Sequence, residues 1–194
     1  ATVDLDAKLL KATGILFCEG YVWDSPTARA AFLQAAARVK SGGGRIGFSL
    51  SDTFCVERHR QDFLDLFAHD IDILLANFAE ARALLDVTDM ADIIASMQNA
   101  GVDGAITCGE QGAVIVRGDE AVRVAAHAVE TVTDLTGAGD QFAAGYLCGV
   151  ARGRSAQTCG RMGALAAAEV IQHFGPRPEK DLRAVFAAHG FEIG

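Results

Sequence analysis

The sequence predicts a three-layer αβα fold in which helices cover a largely parallel sheet. Short, continuously apolar segments alternate with longer segments whose apolar residues recur at helical spacing. Glycine, proline and serine residues separate these segments. Strands that alternate with helices favour a parallel sheet with ligands bound beyond the carboxyl ends of its strands. Functional motifs are therefore expected directly after strands or at helix starts.

The first part of the chain repeats a strand–helix unit. Gly14–Cys18 is an apolar run typical of a buried strand. Ser25 and Pro26 then suit the N-cap and first turn of a helix that carries apolar residues at helical spacing and ends at Gly42–Gly44. By the same criteria, strands are expected at Arg45–Leu50, Ile71–Leu75 and Gly104–Cys108, and helices at Val56–Ala68, Phe78–Leu85 and Met90–Ala100.

The pattern changes after Cys108. Ala113–Arg117 and Ala121–Ala125 flank Gly118-Asp119, which predicts a hairpin. The rest of the chain is predicted to be mostly helical, with helices from about Gly139 to Val150, Ala156 to His173 and Glu179 to Ala188. We expect one domain over residues 1–194.

Composition excludes several classes of function. A net charge of -8 argues against a nucleic-acid-binding surface, which needs clustered Lys and Arg. No apolar run reaches the roughly 20 residues that span a bilayer. The five cysteines are scattered without CxxC spacing, which is typical of reduced thiols in a cytoplasmic protein. The five histidines show no metal-ligand spacing and are expected to be surface or packing residues.

The segment Asp134-Leu135-Thr136-Gly137-Ala138-Gly139-Asp140 carries the sharpest functional signal. Its glycines allow a tight turn directly before a helix. A helix start presents free N–H groups and the positive end of the helix dipole, which together suit a phosphoryl group. Asp140 is placed to accept the proton of an attacking hydroxyl group. The alternative is that Asp140 only caps the helix and the glycines only make the turn.

Two further segments follow predicted strands. Asn77-Phe78-Ala79-Glu80 suits an N-cap, and also suits a pair that organises hydrated Mg²⁺. Thr107-Cys108-Gly109-Glu110-Gln111-Gly112 suits a strand-to-strand turn, and also a loop that passes close to nucleotide phosphates. Ser51-Asp52 follows a third strand on the side where ligands bind, whereas Trp23 is expected to pack.

Together these segments resemble the PfkB family of ribokinase-like carbohydrate kinases. DLTGAGD is similar to the family signature D-T-x-G-A-G-D, and NFAE and TCGEQG match its N-x-x-E and T-x-G-x-x-G motifs. The stretches EGYVWDSPTARAAF, SLSDTFCVERHR and LAAAEVIQHFGPRPE resemble the adenosine-kinase-type branch. No G-x-G-x-x-G follows the first strand, which disfavours a dinucleotide-dependent oxidoreductase.

The resemblance implies an ATP-dependent kinase for a nucleoside, with adenosine preferred. It implies that Asp140 is the catalytic base, that Gly137, Ala138 and Gly139 form the anion hole, and that Asn77 and Glu80 organise phosphate and Mg²⁺, with Glu80 acting through water. It further implies that Thr107, Gly109, Glu110 and Gly112 lie along ATP, that Ala164 and Ala168 border the adenine, and that K⁺ binds near Asp134, Thr136 and Gly175.

This sequence departs from the family pattern in two respects. Leu135 stands where a threonine is usual, which removes a hydroxyl group beside the proposed K⁺ position. The N-terminal lid and its Gly-Gly acceptor motif do not appear, so we expect a catalytic portion that is weakly active alone. Because family dimers commonly pair through the lid, the resemblance is compatible with a homodimer of the full-length protein and leaves the oligomeric state open. A sugar kinase for ribose, fructose or 2-keto-3-deoxygluconate, and a non-catalytic nucleotide-binding fragment, remain alternatives.

Overall fold

The computed structural model describes residues 6–193 and has the predicted α/β class. Six strands and eight α-helices are formed by these residues. The strands are β1 (Ile15–Glu19), β2 (Arg45–Ser49), β3 (Ile73–Asn77), β4 (Asp103–Thr107), β5 (Ala113–Arg117) and β6 (Glu120–Val124). The helices are α1 (Ala7–Lys11), α2 (Pro26–Ser41), α3 (Thr53–His69), α4 (Phe78–Leu85), α5 (Met90–Ala100), α6 (Ala138–Ala151), α7 (Ala156–Val170) and α8 (Leu182–Ala188).

The strands are hydrogen-bonded in chain order, from β1 to β6. The first three are parallel, with Leu16 opposite Ile46 and Phe48 opposite Leu74. Only five residues join β4 to β5, and two join β5 to β6. Connections this short can join only antiparallel neighbours, since a parallel crossover needs a dozen or more residues. The sheet is therefore parallel over β1–β3 and antiparallel in the meander of β4–β6.

By its internal contacts the chain divides into two compact units. The first comprises described residues up to Gly104 together with Arg117–Asp119, and the second comprises Ala105–Val116 and the residues from Glu120 onwards. The prediction of a single domain therefore stays a prediction. None of the helices that the structure describes is long and apolar enough to cross a membrane.

The core of the first unit is built around aromatic side chains. Trp23 is 4% exposed and meets the rings of Phe32, Phe48 and Phe63 edge-on, with centroids 5.3–5.6 Å apart. These rings come from α2, β2 and α3, so one buried indole joins the helices to the sheet. The packing role predicted for Trp23 is confirmed.

The second unit is held together by close contact between α6 and α7. A Cβ atom at Gly145 would lie 2.4 Å from the carbonyl oxygen of Met162, so the two helix backbones almost touch there. Met162 and Leu165 of α7 pack with Phe186 of α8 in the adjoining core. This packing fixes the start of α6 relative to α7 and α8.

Most element boundaries agree with the sequence patterns to within about three residues. The helices at Phe78–Leu85 and Met90–Ala100 are confirmed as predicted. β3 begins at Ile73, two residues later than expected; just before it, the Asp72 carboxylate accepts the N–H of Ile46 at 2.7 Å. The last two helices are shorter than predicted: α7 ends at Val170 and α8 begins at Leu182, after its N-cap Asp181.

Candidate active site

The turn before α6 is fixed by the Asp134 carboxylate. One oxygen, Oδ1, accepts the Thr136 N–H at 2.9 Å and the Thr136 hydroxyl at 2.7 Å. The other, Oδ2, accepts the Gly175 N–H at 3.0 Å. These bonds hold the pKa of Asp134 below its ordinary value, because each stabilises the ionised carboxylate. The hydrogen bond from Gly175 has the largest effect. Asp134 thereby joins the turn to the segment that follows α7.

Gly137 is the N-cap of α6, in a conformation that only glycine adopts easily. Its φ is 81°, and a Cβ atom there would lie 2.7 Å from Cβ of Pro176. Ala138 donates its N–H to the carbonyl of Leu135 at 3.2 Å. Among the described residues, the N–H groups of Gly139 and Asp140 have no acceptor. The helix start therefore presents two free donors, a suitable arrangement for an anion.

Asp140 is the third residue of α6 and is exposed. Its carboxylate has no hydrogen-bond or ion-pair partner among the residues that the structure describes. A free carboxylate in this position can accept a proton from a hydroxyl group that approaches the helix start. The structure thus brings Asp134, Thr136, Gly137 and Asp140 together at one helix terminus, as the sequence predicts.

Asn77 and Glu80 form a capping box at the start of α4, in the first unit. The Asn77 side chain accepts the Glu80 N–H at 2.9 Å, and Glu80 accepts the backbone and side-chain N–H groups of Asn77 at 2.9 and 2.5 Å. Burial raises the pKa of Glu80, which is 6% exposed, and the hydrogen bond from the Asn77 backbone N–H opposes the shift. Because both Glu80 oxygens already accept hydrogen bonds, the arrangement suits a water-mediated Mg²⁺ contact better than a direct one.

The Thr107–Gly112 segment forms the turn between β4 and β5. The N–H of Cys108 donates to the carbonyl of Gly112 at 2.7 Å, and Gly109–Gln111 form one turn of 3₁₀ helix. A Cβ atom at Gly112 would lie 2.0 Å from the carbonyl oxygen of Val124, so this glycine is required for packing. Gly109 has a φ of 58° with open space around it, which leaves room for a ligand.

Two cavities border α7 in the second unit. Ala168 lines a groove of about 400 Å³ together with Leu165, Lys180, Asp181 and Val185. Ala164 lines a second cavity of about 270 Å³, whose walls include Arg123 and Arg161. The two cavities share His127, Leu165 and His189, and no residue of Thr107–Gly112 lines either of them.

The sequence only partly predicts the contacts of two side chains at element ends, Asp52 and Glu169. Asp52 caps α3 and accepts the hydroxyl of Tyr21 at 2.6 Å, a pairing that sequence separation hides. Glu169 is buried near the end of α7 and binds backbone N–H groups ten and eleven residues later. The available signal for Glu169 was a charged residue inside a run of small apolar ones. No cluster of three or more metal-ligating side chains occurs in residues 6–193.

Comparisons with known proteins identify the family of this chain. The family model described as pfkB family carbohydrate kinase matches residues 2–182. The structure of a probable sugar kinase from Rhizobium etli is 39% identical, with a TM-score of 0.93, and the match covers 97% of this chain and 57% of that chain. An adenosine kinase from Sinorhizobium meliloti is 40% identical, with a TM-score of 0.90, over 96% of this chain and 57% of that chain.

A curated relative is a sugar-acid kinase. The 2-dehydro-3-deoxygluconokinase of Escherichia coli is 31% identical over 160 residues, which make up 78% of this chain and 51% of that protein. The chain therefore spans about half the length of this curated relative.

Proposed function

We propose that this chain, which belongs to the pfkB family of carbohydrate kinases, is the nucleotide-binding and catalytic part of an ATP-dependent kinase for a primary hydroxyl group. The start of α6 carries the proposal. There the free Asp140 carboxylate shares one helical turn with the free N–H groups of Gly139 and Asp140. The carboxylate would accept the acceptor's proton while the N–H groups stabilise charge on the phosphoryl group in transfer.

The groove beside Ala168 would take the nucleotide base. Leu165, Ala168 and Val185 supply apolar walls, and Lys180 adds a positive charge at the rim. Ala164 lines the adjoining cavity and would border the same ligand. The turn at Thr107–Gly112 would lie along the phosphates, with Thr107, Gly109 and Glu110 nearest to them and Gly112 holding the turn against the strand.

Two cations belong to this proposal. Mg²⁺ would neutralise phosphate charge and would be held through water by Glu80, with Asn77 keeping the Glu80 carboxylate in place. K⁺ would bind near the Asp134 carboxylate, which already joins Thr136 to Gly175. Oxygen ligands suit both ions, so the residues present fit them.

Adenosine is the acceptor that we propose first. The support is the similarity to the Sinorhizobium meliloti adenosine kinase over 96% of this chain. A sugar acid such as 2-keto-3-deoxygluconate is the second candidate, favoured by the similarity to the Escherichia coli 2-dehydro-3-deoxygluconokinase. Ribose and fructose follow from family membership alone.

The test is ADP release by the complete gene product with ATP, Mg²⁺ and a panel of acceptors. The panel contains adenosine, other nucleosides, ribose, fructose and 2-keto-3-deoxygluconate. We expect turnover that depends on one acceptor and is highest with adenosine. Turnover with the sugar acid alone would select the second candidate, and ATP binding without turnover on any acceptor would favour a non-catalytic nucleotide-binding protein.

A further inference from the structure

Glu169 is a buried carboxylate that the reaction proposed above does not use. It lies one residue before the end of α7, is 4% exposed and, with Glu80, is one of two buried charged residues among those described. Removing an ionised carboxylate from water costs several kcal/mol unless hydrogen bonds compensate. Its contacts should therefore identify what the carboxylate does.

Both oxygens of Glu169 bind the loop that follows α7. Oε1 accepts the backbone N–H groups of Glu179 at 3.1 Å and of Lys180 at 2.9 Å. Oε2 lies 3.3 Å from Nε2 of His173, whose side chain is 14% exposed. Since a carboxylate only accepts, this His173 nitrogen is the donor. Glu169 thus holds residues 173–181, here called the 173–181 loop, at its two ends.

The same loop contacts the candidate active site. Gly175 donates its N–H to Asp134, and the carbonyl of Pro176 accepts a hydrogen bond from Gln141 of α6 at 3.2 Å. Pro176 also lies against Gly137, so close that a Cβ atom there would clash. At the other end of the loop, Lys180 and Asp181 line the groove beside Ala168.

We propose that Glu169 is a positioning residue that sets the 173–181 loop, and through it both the turn at Gly137 and the wall of the nucleotide groove. This inference rests on the proposed function. Transfer of a phosphoryl group depends on donors and nucleotide that are already in place, and a displacement of about 1 Å can cost about 100-fold in rate. Glu169 also lines the groove beside Ala168, but it touches none of the groups that react, so exchange of the loop amides is the readout that isolates its positioning role.

The test is Glu169→Gln in the complete gene product, with Ile115→Val as a matched control. The amide keeps the shape of the side chain but points an NH₂ group at one of the donors that the carboxylate now accepts. Ile115 is fully buried in β5 and packs near Gly160 in the first half of α7, away from the loop, so its shortening should lower stability without moving the loop. The readouts are kcat and the KM for ATP, ATP affinity by calorimetry, and hydrogen exchange of the Gly175, Glu179 and Lys180 amides.

For Glu169→Gln we expect faster exchange at these three amides, ATP affinity weaker by about 10-fold, and kcat lower by about 10-fold or more. The Ile115→Val control should stay within about 2-fold of wild type in all three at the same temperature. Unchanged ATP affinity and unchanged exchange in Glu169→Gln, or equal losses in the control, would overturn the inference. Because exchange and ATP affinity do not require turnover, they test the role of Glu169 even if no acceptor is phosphorylated.

A second variant covers the case in which Glu169→Gln does not fold. His173→Leu removes the donor to Oε2 and leaves both backbone bonds to Oε1 in place. We expect faster exchange at Gly175 with little change at Lys180, and a kcat lowered by about 3-fold. Exchange at Gly175 as slow as in the wild type would contradict the claim that the His173–Glu169 contact holds this end of the 173–181 loop.

Discussion

At the scale of single residues, Gly139 separates the requirements of folding from those of the proposed reaction. A Cβ atom at Gly139 would meet nothing within 4 Å, whereas one at Gly137 would clash with Pro176. Folding therefore requires glycine at position 137 and not at 139. If position 139 is kept small, the reason lies in what approaches the helix start from outside the chain.

Gly139→Ala tests that distinction. We expect the free energy of unfolding to stay the same or rise by up to about 1 kcal/mol, because alanine favours a helix over glycine. Acceptor phosphorylation should fall by about 10-fold or more, since a methyl group would stand beside the free N–H groups. Urea denaturation and kcat/KM measure the two effects. Wild-type activity in a folded Gly139→Ala protein would show that no phosphoryl group approaches there.

The hydrogen bond between Tyr21 and Asp52 predicts how the stability of the protein depends on pH. The Tyr21 hydroxyl lowers the pKa of Asp52 by its hydrogen bond, and the same bond raises the pKa of Tyr21 to about 12. A carboxylate with a lowered pKa adds stability above its ordinary value of 3.8 and loses it as pH falls through the lowered value.

Tyr21→Phe should therefore destabilise the protein near neutral pH and not at acid pH. Tyr21 is 49% exposed, so we expect a loss below about 1 kcal/mol. The difference between variant and wild type should vanish once Asp52 is protonated in both states. Denaturant titrations from neutral pH to well below pH 3.8, through the lowered pKa of Asp52, measure this difference. A difference that persists unchanged in acid would assign the effect to packing of the ring.

The sequence was informative about residues whose roles are local. Gly137, Gly139 and Asp140 belong to one turn and the helix that follows it, so their arrangement follows from neighbouring residues. Glu169 could not be interpreted in this way, because its partners Glu179 and Lys180 lie beyond the helix end. The Tyr21–Asp52 pair, 31 residues apart, was hidden for the same reason.

At the scale of elements, the packing of α6 on α7 sets the position of the candidate base. Gly145 stands against the backbone of Met162, and Gly149 stands against Cys159. Small residues at these crossings let the helices approach closely. Any side chain there would push α6, and Asp140 with it, away from α7.

Gly145→Ala should therefore destabilise the protein although alanine is the better helix former. Its Cβ atom would lie 2.4 Å from the Met162 carbonyl oxygen, and we expect a loss of about 2 kcal/mol in the free energy of unfolding. The measurement is a shift in the denaturation midpoint, beside Gly139→Ala in the same helix. A gain in stability like that expected at 139 would contradict the close approach of these helices.

Element boundaries were predictable where caps are local. The capping box of Asn77 and Glu80 sets the start of α4, and the expected range was found. The predicted start of β3 and the predicted end of α7 were wrong by two and three residues, and the contacts of Asp72 with a neighbouring strand and of Glu169 with a later loop were not visible in the sequence either. A single sequence carries the apolar pattern of an element and not the partners of its polar end residues.

At the scale of the whole molecule, each compact unit carries its own set of proposed residues. Asn77 and Glu80 belong to the first, and the turn at Asp134–Asp140 and the groove beside Ala168 belong to the second. Because the net charge is -8, the proposed binding of a nucleotide would depend on local donors, the free N–H groups of Gly139 and Asp140, and not on overall attraction.

Nucleotide binding predicts stabilisation of the folded chain. At an ATP concentration of 100 times Kd, with Mg²⁺, we expect the free energy of unfolding to rise by about 2.7 kcal/mol, since ATP binds only the folded state. Chemical denaturation with and without the nucleotide measures this, with GTP as the comparison for the base. Equal curves in saturating nucleotide would contradict the assignment of the groove.

The central claim is that Asp140 is the base of a phosphoryl transfer. The most direct test is a single-turnover assay of Asp140→Asn in the complete gene product, with the acceptor identified from the panel and with ATP affinity measured in parallel. The amide keeps the size of the side chain but cannot accept the proton. We predict ATP affinity within about 3-fold of wild type and transfer slower by about 100-fold or more. Transfer at the wild-type rate by the Asp140→Asn protein would contradict the assignment.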